Sequence, residues 1–198
     1  MDVGRRARFV VVAFAAMFLI SCTSSDAQTA SSSSESPKAT TTAGQATPCS
    51  LVDLKISPTP AAHAPAGHSP VLYVVTNLGA APCVLNGYPQ LAFRNAPGSD
   101  LPFTFADHGG VVVTSAPPSA LTVAVSQSAA FLVDKPDCAQ PGDDQATTAS
   151  IVLATAPLIN LLSTLPRPFA LCAVGDPGNT IEVSPFVANP NQALATAG

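Results

Sequence analysis

Residues 71–94 read VLYVVTNLGAAPCVLNGYPQLAFR, 24 residues with the punctuation of a sheet. The first six are dense in β-branched and aromatic side chains, which suit a pleated, buried surface, so 71–76 is expected to be a central strand. It stops at Asn77-Leu78-Gly79, residue types that mark turns. A short apolar run at 83–85 follows, then Asn86-Gly87, the strongest short hairpin signal because both residues tolerate positive φ. Tyr88-Pro89 leads into a further strand at 90–94. Strands this short and this often interrupted are the pieces of an antiparallel sheet.

The same pattern extends outward. Apolar runs at 51–56, 111–114, 121–125, 129–133, 150–155, 169–174 and 181–183 are separated by Pro, Gly, Asn and Asp. The runs at 121–125 and 129–133 are joined by Ser126-Gln127-Ser128, so they read as a hairpin or a bulged continuous strand. Many short strands over one core predict an all-β fold, an antiparallel β-sandwich. The domain is expected to start at Cys49 and to end near Val187, with 188–198 as a flexible tail. One segment departs from this pattern. In 157–165, Leu158, Leu161, Leu162 and Leu165 repeat at helical spacing behind Pro157, which predicts one short helix. On the plainer reading it plugs an open edge of the sandwich; on the functional one those four leucines are an apolar lid over a lipid-sized cleft.

Ahead of the domain, residues 23–48 contain 13 Ser or Thr among 26 and no aromatic or large aliphatic side chain. Nothing there offsets the entropy of ordering, so 22–48 is expected to be a disordered tether, with the composition of an O-glycosylated stalk. Before it, Arg5, Arg6 and Arg8 precede the uncharged apolar run 9–20, the layout of an export signal. Twelve helical residues rise only about 18 Å against a hydrocarbon core of about 30 Å, too little for a comfortable span. The run ends in Leu19-Ile20-Ser21-Cys22, which resembles the lipobox of bacterial lipoproteins. That resemblance implies cleavage before Cys22, a diacylglycerol on its thiol, and attachment to the extracytoplasmic face of the cell membrane.

Removing 1–21 takes Arg5, Arg6, Arg8 and Asp2 from 8 basic and 12 acidic residues, leaving 5 against 11 and a formal charge of −6. An acidic chain without a basic face argues against nucleic acid as a partner. Four cysteines remain in the body: Cys49, Cys83, Cys138 and Cys172. An even number in an exported chain predicts two disulfides, with three pairings open. The 34-residue separations from Cys49 to Cys83 and from Cys138 to Cys172 favour those two local loops. No CxxC supports a redox enzyme.

Chemistry-bearing motifs are sparse. His63, His68 and His108 lack the spacing that imposes metal geometry and read as solvated loop residues. No GxSxG or Gly-rich phosphate loop occurs. Asp134, Asp137, Asp143 and Asp144 lie in VDKPDCAQPGDDQ, read as a solvated acidic loop. No catalytic residue, cofactor or metal is expected. Tyr88, between the Asn-Gly turn and proline, is a candidate surface anchor for a partner; its plainer role is packing over the first disulfide.

Asn77, Pro82-Cys83, Leu85, Gly87-Tyr88-Pro89 and the apolar run after them resemble the signature of a domain-of-unknown-function family common in secreted actinobacterial proteins, mycobacterial lipoproteins included. The likeness covers most of 49–187, with the remaining features on Cys49, on 122–133 and on Cys138 with Cys172. It implies an immunoglobulin-like sandwich and the same two local disulfides, and no activity. The chain departs from the pattern at Val125-Ser126-Gln127-Ser128, where Pro-Gly is usual, and in its leucine-rich segment. The function expected is an accessory or binding module of the cell envelope, with another envelope protein or a wall glycan as partner. A carrier of a lipid or small hydrophobic molecule is the second reading, and an unrecognised hydrolase the last.

Overall fold

A computed structural model describes residues 47–62, 64–107, 109–154 and 160–195. Its strands are β1 (Leu54–Pro60), β2 (Val71–Asn77), β3 (Cys83–Leu85), β4 (Gln90–Arg94), β5 (Thr104–Ala106), β6 (Leu121–Val123), β7 (Ser128–Asp134), β8 (Pro141–Val152), β9 (Asn160–Cys172) and β10 (Thr180–Val183). Alternation along β2 is realised as period-two burial: Val71, Tyr73, Val75 and Asn77 are buried, while Leu72, Val74 and Thr76 are partly covered. β2 lies between β1 and β7, antiparallel to both, and the sheet runs β1-β2-β7-β10-β5. Its last pair, β10 with β5, is parallel.

Facing it is the antiparallel sheet β4-β8-β9, and β3 with β6 forms a separate antiparallel two-stranded ribbon. Tyr73, Phe131, Val133, Ile181 and Val183 from one sheet share a single core with Phe93, Ala149, Ile151 and Phe169 from the other. Tyr73 stacks on Phe131 at 4.7 Å between centroids, and Phe93 meets Phe169 at 5.4 Å. Each such side chain contributes about 1.5–3 kcal/mol by leaving water. The fold is the expected all-β sandwich, and both disulfides pair as the spacing favoured, Cys49 with Cys83 and Cys138 with Cys172.

Several local expectations are corrected. Residues 160–165 of the leucine-rich segment are strand, not helix: Leu161 pairs with Ile151, Leu162 with Ser150 and Thr164 with Thr148. A window this short has too few internal hydrogen bonds to hold a helix, and β8 offers a complete ladder. Burial accordingly follows period two, with Ser163 and Leu165 inside and Leu162 59% exposed. Leu158 lies outside the described residues. Further along β9 the register slips between Phe169 and Thr164, where Pro166 and Pro168 cannot donate to a ladder.

Asn86-Gly87 does not close a hairpin either. β3 pairs with β6 and β4 with β8, so this bend carries the chain from the ribbon to the other sheet. Only Gly87 of the two has positive φ, +75°. β6 and β7 likewise belong to different sheets, joined through Ser126 at φ 63°. Buried Asn77 ties these turns together. Its Nδ2 donates to the carbonyls of Ala81 (2.9 Å) and Val123 (3.0 Å), and its Oδ1 accepts from Gly79 N (2.9 Å).

The tail is docked rather than flexible through Ala195. Pro190–Ala193 forms a 3-10 turn with a capping box between Asn189 and Gln192. Ala193 is buried with Val112, Val113 and Leu132, and Leu194 bridges to Val113. That bridge is what remains of the strand expected at 111–114.

Candidate functional site

The interior of β7 is apolar from Ala129 to Val133, and the chain leaves it through Asp134-Lys135-Pro136. Because β7 is flanked on both edges and covered on both faces, Asp134 and Lys135 start life inside the sandwich: Asp134 is fully buried and Lys135 is 3% exposed. Asp134 was expected in a solvated acidic loop; the strand carries it inward instead. Asp143 and Asp144 are exposed as expected, but on β8.

A second strip of chain covers these two residues. Gly67 to Ser69 lies along 135–137, with Ser69 N donating to Lys135 O (2.9 Å) and Asp137 N to Gly67 O (2.8 Å). Arg167 Nη2 donates to the His68 carbonyl at 3.2 Å from β9. This brings His68 Nδ1 to 2.5 Å from Asp134 Oδ2. His68 is thus half-buried on a carboxylate rather than a solvated loop residue, while His63 and His108 lie outside the described residues. Asp134 Oδ1 has no hydrogen bond among the described residues; the Ser69 amide lies near the carboxylate but is directed at the Lys135 carbonyl. Burial raises the Asp134 pKa above the usual carboxylate range, and the His68 contact opposes that shift.

Lys135 points the other way, to the second disulfide. Its Nζ donates to Pro136 O at 2.6 Å and lies 3.4 Å from Cys172 Sγ and 3.8 Å from Cys138 Sγ. Burial lowers its pKa below the usual lysine range, and Asp137, Asp176 and Asp134 pull it back up. Asp176 is held below the usual carboxylate range by the amides of Gln140 and Gly178, which donate to it at 2.9 and 2.8 Å. Asn179 fixes the Cys172 backbone, accepting from Cys172 N at 2.7 Å and donating to Cys172 O at 3.1 Å.

Each cysteine of the Cys138–Cys172 bridge lines a surface cleft. One, of about 320 Å3, is lined by Ser69, Lys135, Asp137, Cys138 and Phe169. The other, of about 460 Å3 and more apolar, is lined by Leu171, Cys172, Val174, Asp176 and Thr104. His68 with Asp134 has the form of a base and its orienting group. Yet no hydroxyl or thiol is hydrogen-bonded to the second ring nitrogen of His68 among the described residues, and the Ser69 hydroxyl donates to Asp137 Oδ1 (3.3 Å). The described residues hold no group of three or more metal-ligating side chains.

Tyr88 is half-buried, not fully presented. Its neighbour Pro89 lines a shallow cleft of about 260 Å3 with Leu91, Phe105, Asp107 and Val183. Phe105 is 42% exposed there and stacks over Phe93 at 6.0 Å. Of the leucines proposed as a lid, Leu161 and Leu165 face the packed layers and Leu162 faces solvent, so along 160–165 they do not form one apolar face. Cys22 lies outside the described residues. Thr47, the first described residue, accepts at its carbonyl from Val84 N at 2.9 Å.

Sequence reasoning passed over Lys135 and its link to Cys172. The available signal was AAFLVDK, two opposite charges directly after five apolar residues of a strand that sits inside the sheet. Residues 49–187 match the model of a family described as a domain of unknown function, DUF4232. No curated protein and no solved structure matches the chain.

Proposed function

The chain belongs to the DUF4232 family, and from that premise we propose that it is an exported lipoprotein of the actinobacterial type, anchored by lipid on Cys22, whose sandwich is a binding module of the cell envelope. The observation that carries this reading is the division of its five cysteines. Four are paired in the folded body, and the fifth, Cys22, stands directly after Leu19-Ile20-Ser21 at the end of the apolar run 9–20. Paired cysteines suit an oxidising compartment outside the cytoplasm. A Ser/Thr-rich stretch of the kind found in stalks then separates Cys22 from the domain that starts at Cys49.

Binding is favoured over catalysis because the acid–base pair His68 with Asp134 has no hydroxyl or thiol hydrogen-bonded to it among the described residues. The apolar cleft beside Tyr88, with Phe105 exposed on its wall, supports contact with another envelope protein or a wall glycan. A lipid carrier would want an internal apolar cavity of about 300 Å3 or more. The cleft of about 460 Å3 at Leu171 and Val174 reaches that volume but is open to the surface rather than internal, which weighs against that alternative.

Growth with an alkyne fatty acid, followed by click labelling and membrane fractionation, tests the anchor. Wild type should be labelled and membrane-bound, and Cys22→Ala unlabelled; equal labelling of both, or none of wild type, overturns it. In-cell crosslinking tests the contact surface. A partner captured by wild type should be lost with Phe105→Ser while the fold is kept, and unchanged capture removes that cleft from the interface.

A further inference from the structure

We propose that Cys138–Cys172 is a thiol–disulfide exchange site, entered by a small thiol at Cys138 and assisted by Lys135. Access and leaving group are set differently at its two sulfurs. Cys138 is half-exposed and lines the 320 Å3 cleft, whereas Cys172 is 4% exposed and has the Lys135 Nζ 3.4 Å from its sulfur. Attack on a disulfide requires a thiolate on one sulfur and departs faster when the other leaves as a stabilised thiolate. Cations beside a cysteine provide that stabilisation. Asp137, Asp176 and Asp134 surround Lys135 and favour its charged form against the burial that opposes it.

The step balances without an added proton. An incoming thiolate forms an S–S bond to Cys138 Sγ, the Cys138–Cys172 bond breaks, and its electron pair leaves on Cys172 Sγ beside the ammonium. A second thiolate then attacks the mixed disulfide at the incoming thiol's own sulfur, releasing Cys138. The chain has gained two electrons and two thiols have become one disulfide. Cys49–Cys83 is set differently: Cys83 lines a cleft of about 380 Å3, but the two cysteines are only 2% and 8% exposed and belong to the apolar core, and no cation is hydrogen-bonded to their sulfurs among the described residues.

The test uses the full chain carrying Cys22→Ala, which removes the fifth cysteine, in detergent with glutathione as the small thiol. Acid quenching, alkylation and mass spectrometry of peptides follow each bridge separately. Cys138–Cys172 should open at least tenfold faster than Cys49–Cys83, with the first glutathione adduct on Cys138. Lys135→Met, which keeps an apolar stem without the charge, should slow that opening at least tenfold and leave Cys49–Cys83 unchanged. Equal or reversed rates, an adduct on Cys172, or a folded Lys135→Met with the wild-type rate would each overturn the proposal. Should Lys135→Met fail to fold, the two rates and the adduct position in the parent chain decide alone.

Discussion

The two disulfide loops have the same sequence separation, 34 residues, and very different surroundings. The loop from Cys49 to Cys83 contains β1 and β2, and both its sulfurs lie in the main apolar core. The loop from Cys138 to Cys172 encloses the β8–β9 ribbon, and its sulfurs lie outside that core, against a buried lysine. Loop length governs what a bridge takes from the unfolded chain, so on that count the two are equal, at about 4 kcal/mol each in the chain-entropy model. Everything else about them is set by what the folded protein places around the sulfurs.

Replacing each pair with alanine is the strongest way to break that comparison. Loss of Cys49–Cys83 also leaves a void in apolar surroundings, so the combined cost should reach about 5 kcal/mol. Loss of Cys138–Cys172 should cost less, about 3 kcal/mol, because a loosened 135–140 turn lets water reach the Lys135 ammonium. Urea unfolding of the two double variants measures both. A larger loss at the second bridge would mean that its sulfurs contribute more than the core ones do.

Within the second loop, neighbouring leucines should respond by period two. Leu165, 6% exposed on β9, should cost about 2–3 kcal/mol as Leu165→Ala, and Leu162→Ala within about 0.5 kcal/mol. Comparable losses at both positions would fit one buried face of a helix instead. This contrast marks where the sequence was legible. The runs 90–94 and 181–183 carried β-branched or aromatic side chains between turn residues and became β4 and β10 nearly to the residue. Segment 157–165 carried a helical spacing that no local signal contradicted; along 160–165 the free ladder of β8, the preceding strand, decided against it. Asn86-Gly87 announced a turn correctly but could not say that its flanking strands join different sheets. The same holds at the site. The pairing of the cysteines was favoured by spacing among three, whereas the burial of Asp134 and Lys135 depended on β7 being interior, and the meeting of His68 with Asp134 on a loop 66 residues away.

The buried carboxyl sharpens the comparison through pH. Asp134 titrates higher in the folded chain than its ordinary 3.8, so as pH rises the unfolded chain loses its proton first. Wild type therefore loses stability from just above 3.8 until the folded carboxyl has ionised. Asp134→Asn lacks that dependence, so the stability advantage of wild type over the variant should shrink as pH rises through this window. Chemical denaturation at half-unit intervals from pH 3.5 measures it; an advantage that grows instead would mean that the His68 contact outweighs burial.

The first loop has its own buried polar atom, and its effect should be the smallest. Tyr73 Oη is enclosed in the core with no hydrogen-bond partner among the described residues, while the ring stacks on Phe131. An unpaired hydroxyl costs its desolvation without return, so Tyr73→Phe should keep the stack and gain about 1 kcal/mol. Burial also pushes the phenol pKa far above 10.0, so in alkali the unfolded tyrosine ionises before the folded one and wild type loses stability as pH passes 10. The gain from Tyr73→Phe should therefore widen above that pH, while Tyr88→Phe, at a half-buried position, serves as the control. A Tyr73→Phe chain less stable than wild type at neutral pH would mean that the hydroxyl has a partner after all, and the first loop would then carry a second buried polar contact beside that of Asn77.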